Sequence, residues 1–350
     1  MRRVALAALI CAMPLRPFMA QTLPPIKGSI ERIKVHGASL EGNLEGDSPD
    51  RDVSIYLPPS YRTAADRRYP VVYVLHGFTD DDNRWFRTAE HFVNLPATME
   101  KSMAAGTREM ILVMPNAYTR YAGSFYGSSV AIGDWETFVT RELVAYVDSH
   151  YRTIASRASR GLAGHSMGGY GTFRLALKYP DVYAAVYAMS ACCLTPSSGT
   201  AAATAKAQAV QSDSAFAKAD FGTKAVIALT AAFSSSPQAP RYLEFAYKEG
   251  TLQPDVVATL SANAPTAMLG QSVVKLKRIR NIAFDIGLQD GLLPGNQVMD
   301  RLLTEYGVPH TFETYEGTHT SKIAERLEKK ALPFFSRVLA FSASSADRDK

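Results

Sequence analysis

The sequence predicts an α/β fold: a mostly parallel central sheet flanked by helices, with one helical insert. Three observations predict it. After residue 65, strand-like and helix-like segments alternate along the chain, as they do where parallel strands are joined by crossover helices. Two strand-like runs, YPVVYVL (69–75) and MILVM (110–114), are continuously apolar, as expected of strands covered on both faces. The stretch 194–267 interrupts the rhythm and is too long for a bare loop in a compact domain.

Taken in order, RDVSIYL (51–57) alternates like a strand and stops at Pro58-Pro59. The buried runs at 69–75 and 110–114 follow. Asp134 is placed to cap a helix running to about residue 151, with Glu136 in its first turn near the positive dipole end. Residues 160–164 form a short strand leading into a helix that reaches about residue 178. Further strands are expected at 182–189 and 281–286, then a helix at 297–306, a strand at 311–315 and a closing helix at 321–341. The 194–267 stretch opens rich in Ala, Ser and Thr. It is expected to carry its own helices and to cap the strand ends. One domain is expected over 21–340, with 341–350 as a disordered, solvated tail.

The 350 residues suffice for a sizeable core, and 47% hydrophobic with 20% charged residues is ordinary globular composition. The first 20 residues read as a signal peptide: Arg2 and Arg3 precede a short apolar run, residues 4–12, and Ala20 precedes the expected cleavage point. That run is too short to span a bilayer, which needs ~20 residues. The export signal implies a secreted or periplasmic protein with no stable membrane insertion. The formal charge of +5 drops to +2 once Arg2, Arg3 and Arg16 are removed with the leader. No basic stripe with interleaved aromatics remains, so nucleic acid is not an expected partner. Beyond the leader the cysteines are Cys192 and Cys193. Being adjacent, they cannot staple distant segments, and they are read as free, small apolar residues rather than a vicinal disulfide.

The strongest chemical signal is Gly164-His165-Ser166-Met167-Gly168, a G-x-S-x-G pentapeptide between a strand and a helix. A sharp strand-to-helix turn exposes the serine hydroxyl, and the flanking glycines keep side chains out of the turn. The helix that follows aims free N–H groups at the place where an oxyanion would develop. A serine needs a base, and in this fold the order along the chain is Ser, acid, His. Of the seven histidines, only His310 and His319 follow Ser166. His319 comes after the strand at 311–315, at the carboxyl edge where open α/β sheets hold their ligands. His310 precedes that strand, at the opposite end. Asp290, just past the strand at 281–286, is the expected acid. Asp285 lies inside that strand and points into a flank of the sheet. Met167 N–H and Phe78 N–H are the expected oxyanion donors, the latter from His76-Gly77-Phe78-Thr79 at the end of an earlier strand. His76 is read as fixing that loop. Asp80, Asp81 and Asp82 read as a solvated turn, and no metal-binding or phosphate-binding motif is present, so no cofactor is expected.

The chain resembles the putative esterase family, which contains esterase D-like enzymes, feruloyl esterases and the antigen 85 mycolyltransferases. The resemblance rests on VSIYLPPSY (53–61), YPVVYVLHGF (69–78), SFYGSS (124–129), GDWETF (133–138), GHSMGGYG (164–171) and the DG and THT pieces near the C-terminus. It implies an α/β-hydrolase fold, a Ser166–Asp290–His319 triad with Phe78 and Met167 as oxyanion donors, and a carboxylic ester, small or carbohydrate-linked, as substrate. The leader argues against the cytosolic S-formylglutathione hydrolase branch. An acyltransferase with the same triad, or a non-catalytic binding protein on the same scaffold, are the alternatives. Trp85, Tyr126 and Trp135 are expected on the substrate rim, where their rings could hold an aryl group or a sugar face.

Overall fold

A computed structural model describes residues 26–87 and 91–342. The signal peptide and residues 343–350 of the expected tail lie outside the described residues. Eight strands form one sheet: β1 (Ser29–His36), β2 (Asp50–Leu57), β3 (Val71–Leu75), β4 (Ile111–Pro115), β5 (Arg160–His165), β6 (Ala185–Met189), β7 (Asn281–Gly287) and β8 (Thr311–Tyr315). Their spatial order is β1-β2-β4-β3-β5-β6-β7-β8. The β1–β2 and β2–β4 pairs are antiparallel. Every pair from β4 to β8 is parallel. The carboxyl ends of six strands, β3 to β8, therefore share one edge, and the loops leaving that edge meet.

Helix α1 is Asp82–Arg87 and α2 is Leu95–Ala104. Helix α3 covers 135–150 and widens into a π turn at Phe138–Glu142. Asp134 caps it by accepting the Thr137 N–H at 3.0 Å. Glu136 does more than face the dipole. It is 1% exposed and holds Arg174 and Lys178, fastening α3 to α4 (Met167–Lys178). The core has two layers because side chains alternate across each strand. Tyr73 and Leu75 pack with α3 and α4, while Val72 and Val74 pack with α2 and the closing helix at 323–338, α11.

The stretch 194–267 carries helices, as expected: α5 (Ala201–Gln208), α6 (Asp213–Lys218), α7 (Phe221–Phe233), α8 (Pro254–Ala262) and the start of α9 (Pro265–Leu276). Helix α10, Leu293–Glu305, begins four residues before the expected helix because Pro294 suits a first helical turn. Among the described residues no helix is long and apolar enough to cross a membrane.

Two readings need correction. Strand β1 was not expected: its sequence SIERIKVH carries charges at most outward positions, and only Val35 is fully buried. The triplet Asp80–Asp82 is not a solvated turn. Asp82 is fully buried and binds the Arg32 guanidinium and Ser54 hydroxyl. Asp80 accepts from the Trp85 indole and His91.

Glu45 is a buried carboxyl with the side chains of Asp47 and Thr119 beside it. Burial, reinforced by the neighbouring charge of Asp47, pushes its pKa up to about 9. The fold thus favours the protonated form. Its contribution is full below the ordinary carboxyl range near 4.5 and is lost as pH rises towards 9. The maximal slope for one such group is about 1.4 kcal/mol per pH unit. Urea midpoints of Glu45→Gln and wild type should coincide at pH 4.5, with the variant more stable at pH 8. Equal midpoints at both pH values would show that Glu45 is not held protonated.

Candidate active site

The turn between β5 and α4 sets the position of Ser166. Its backbone adopts φ 57°, ψ −114°, a left-handed conformation that L-residues enter only under constraint. The constraints are visible. Ser166 N–H bonds to Met189 O at 3.0 Å, and Ser166 O accepts from Tyr170 and Cys192 N–H. A Cβ at Gly164 would run into the Gly168 carbonyl, and one at Gly168 into the Leu75 carbonyl. The two motif glycines are thus required by close backbone approach.

The structure brings three sequence-predicted side chains together in one hydrogen-bonded line. His319 Nε2 lies 2.9 Å from Ser166 Oγ, and His319 Nδ1 lies 2.8 Å from Asp290 Oδ2. An ionised carboxylate fixes the proton on Nδ1, which leaves the Nε2 lone pair facing the serine hydroxyl. Burial raises the Asp290 pKa, but hydrogen bonds from His319 and from the Leu292 N–H outweigh it and leave the group below the ordinary carboxylate range. The two loops that carry Asp290 and His319 are tied to each other. Gln289 N–H donates to Gly317 O, and the Gln289 side chain bonds Gly317 N–H and Glu316. Asp285 stands elsewhere, buried between the Tyr187 hydroxyl and Arg326. His310 bonds Asp300 and Val308 O on the far side of β8.

The segments that carry the expected oxyanion donors lie beside the serine. A Cβ at Gly77 would stand 3.5 Å from Ser166 Cβ, so the loop after β3 runs beside the serine. Gly123 fits between the Phe78 ring and the Met167 thioether. Neither Phe78 N–H nor Met167 N–H has an accepting partner among the described residues. His76 holds this loop as expected: its Nε2 accepts from Ala117 N–H and its Nδ1–H donates to Gly77 O.

The three aromatic rim residues are a correction. Trp85 and Tyr126 are 0% exposed and Trp135 is 1% exposed. Each also has its polar atom bonded inside the fold, to Asp80, His76 O and Ile132 O. They are core residues, because each amphipathic ring found an internal acceptor. The aromatic side chains that meet the insert are Phe78, Phe125 and Tyr170, themselves buried, and α7 runs along them. Phe221 at its start meets Phe78, and Phe233 at its end meets Phe125 and Tyr170.

One residue escaped the sequence analysis. His165 donates from Nε2 to the His319 carbonyl at 2.9 Å, and the two rings lie 4.8 Å apart. It is 3% exposed, and its Nδ1 has no partner among the described residues. Burial, with the neighbouring His319 imidazole, lowers its pKa to about 3, so it stays neutral. Cys192 and Cys193 are free thiols. Among the described residues no group of three or more His, Cys, Asp or Glu is placed to hold a metal ion.

Comparison with known proteins adds the following. The family described as Putative esterase matches residues 48–323. Esterase MT1326 of Mycobacterium tuberculosis is 36% identical over 132 residues, covering 36% of this chain and 26% of that protein. An endo-1,4-beta-xylanase/feruloyl esterase of Xylanibacter ruminicola is 29% identical over 136 residues, covering 37% of this chain and 18% of that protein. The chain thus spans about a quarter or less of the length of these curated relatives. A solved ferulic acid esterase superposes with a TM-score of 0.64 at 23% identity, over 90% of this chain and all of that one.

Proposed function

The chain belongs to the putative esterase family, and on that premise we propose that it is a serine carboxylic-ester hydrolase that works through an acyl-enzyme. The observation that carries the proposal is the line from Ser166 Oγ through His319 to Asp290. Ser166 Oγ attacks the ester carbonyl carbon, and its proton passes to His319 Nε2. The Phe78 and Met167 N–H groups hold the oxyanion that forms. The alkoxy C–O bond breaks, and the departing alcohol takes the proton from His319. Water then gives a proton to His319 and attacks the acyl carbon, and Ser166 recovers its proton as the acid leaves. The substrates are aryl, feruloyl-type or carbohydrate esters, a reading supported by the feruloyl esterase relative. The leader-like residues 1–20 support export, to the periplasm or beyond. Labelling by a fluorophosphonate probe, mapped to Ser166 by peptide mass, together with release of acid from aryl esters, tests the scheme. A protein that neither hydrolyses these esters nor labels at Ser166 would end it. Formation of a transacylated sugar in place of free acid would convert it to an acyltransferase.

The His165 clamp gives a further expectation. His165→Phe keeps a ring but loses the donor to the His319 carbonyl. It should lower kcat about 10–100-fold, the cost of a small misplacement of a catalytic group, with KM within about threefold. His165→Gln, whose amide can reach the same carbonyl, should recover much of the loss. Equal kcat for the two variants, with both well folded, would mean that the hydrogen bond does not position His319.

A further inference from the structure

The amino ends of the parallel strands collect basic side chains. Arg68 precedes β3, Arg108 precedes β4, Arg157 precedes β5 and Arg280 precedes β7. They are far apart in sequence and share one edge because the strands run parallel. From β4 to β7 the edge covers four strand spacings, about 19 Å at about 4.8 Å each. Hydrogen bonds tie its loops together. Arg68 bonds Thr153 O at 3.0 Å, Arg157 bonds Arg278 O at 2.7 Å, and Ala340 N–H bonds Ala158 O at 2.9 Å.

The charges on this edge do not cancel. Arg67 pairs with Glu109, Arg160 with Asp148 and Arg278 with Asp181. Arg68, Arg108, Lys277 and Arg280 are exposed and have no carboxylate partner among the described residues. Arg157 is half-buried beside them. Burial, with repulsion from Arg278 and Arg280, lowers its pKa from the ordinary value, and Asp181 does not offset this. Like charges held together repel, and an anionic partner would relieve the repulsion. An apolar patch adjoins the cations. Val274 on α9 is 79% exposed, and Tyr306, just past α10, is 42% exposed. A Cβ at Gly270, one turn before Val274, would stand 3.0 Å from the Tyr306 hydroxyl, and one at Gly307 would stand 3.7 Å from Lys277 Nζ. A soluble polyanion needs cations alone. Exposed apolar side chains set among cations match a surface that offers anionic headgroups over hydrocarbon.

We infer that the amino edge of the sheet docks on an anionic lipid surface, with Arg68, Arg108, Lys277 and Arg280 at the headgroups and Val274 entering the interface. The protein then lies on the membrane without crossing it, and the edge that carries Ser166 faces water. Strand β5 separates the two edges with six residues, or about 20 Å at about 3.3 Å each.

Vesicle sedimentation tests it. The chain from residue 21 onward is used, because the arginines of residues 1–20 would bind anionic lipid themselves; it keeps all the described residues. Vesicles of about one-third phosphatidylglycerol in phosphatidylcholine should bind it at least about thirtyfold better than phosphatidylcholine alone, and about 0.5 M salt should remove most of that preference. Arg108→Ser, Lys277→Ser and Arg280→Ser should each weaken binding about fivefold, and the triple variant about a hundredfold. Lys206→Ser, on α5 of the insert, removes the same charge elsewhere and should leave binding within about twofold. Val274→Ser should weaken vesicle binding at least about fivefold and leave any binding of dextran sulfate within about twofold. Both native tryptophans, Trp85 and Trp135, are buried, so Val274→Trp supplies a reporter. Lipid brominated on its acyl chains should quench that fluorescence and should leave the fluorescence of Lys206→Trp unchanged. Equal binding to both vesicle types, an equal loss from Lys206→Ser, quenching at 206 in place of 274, or binding of dextran sulfate with vesicles ignored would each overturn the assignment.

Discussion

Ser166→Ala is expected to remove ester hydrolysis while leaving the fold in place. The hydroxyl's hydrogen bond is to His319, and the backbone constraints on residue 166 do not involve its side chain. Turnover should fall by roughly 10⁴–10⁶-fold, with what remains coming from the oxyanion donors and substrate binding. Fluorophosphonate labelling should vanish with it, and the thermal midpoint should stay within about 2 °C. Near-normal turnover in a folded variant would show that Ser166 is not the nucleophile.

Two carboxylates five residues apart should give opposite phenotypes. In Asp290→Asn the amide N–H₂ faces His319 Nδ1 and reverses the tautomer, so that Nε2 carries the proton and cannot accept one from Ser166. The expected loss in kcat is about 10⁴-fold with little change in stability. Asp285→Asn leaves that hydrogen-bonded line untouched but removes one of the two carboxylates on the buried Arg326 guanidinium, because Asp285 Oδ2 holds Arg326 Nε at 2.7 Å and Glu313 keeps the other side. The expected result is kcat within about threefold of wild type and a loss of roughly 1–2 kcal/mol in urea denaturation. Kinetics and denaturation of both variants check the pair. A reversed ranking in kcat would mean that the acid of the line is misidentified.

The hydrogen-bonded line of Ser166, His319 and Asp290 was legible in the sequence because parallel strands impose direction. Ser166, Asp290 and His319 each lie just beyond the end of a strand, and strand polarity sends all three to one edge. The sheet was legible for a related reason, since β3, β4 and β6 are apolar throughout. What failed depended on partners distant in sequence. Trp85, Tyr126 and Trp135 carry polar atoms that would suit a wet rim or an internal acceptor equally, and the acceptors become visible only once the chain is folded. Asp82 looked solvated because its cation, Arg32, lies 50 residues away on β1, the strand whose mixed charges concealed it. His165 was masked by its position, where a residue inside G-x-S-x-G has no fixed role.

The separation of 153 residues between Ser166 and His319 has a consequence for the timing of synthesis. A ribosome adding 5–20 residues per second exposes the serine roughly 8–30 s before its base. Through that interval the nascent chain holds the nucleophile turn without a proton acceptor, and β7 and β8 have yet to join the sheet. On the proposed scheme Ser166 gains its proton acceptor only when the final strand docks, late in translation. On that scheme a polypeptide cut before residue 319 lacks the base for Ser166, however well its first half has folded.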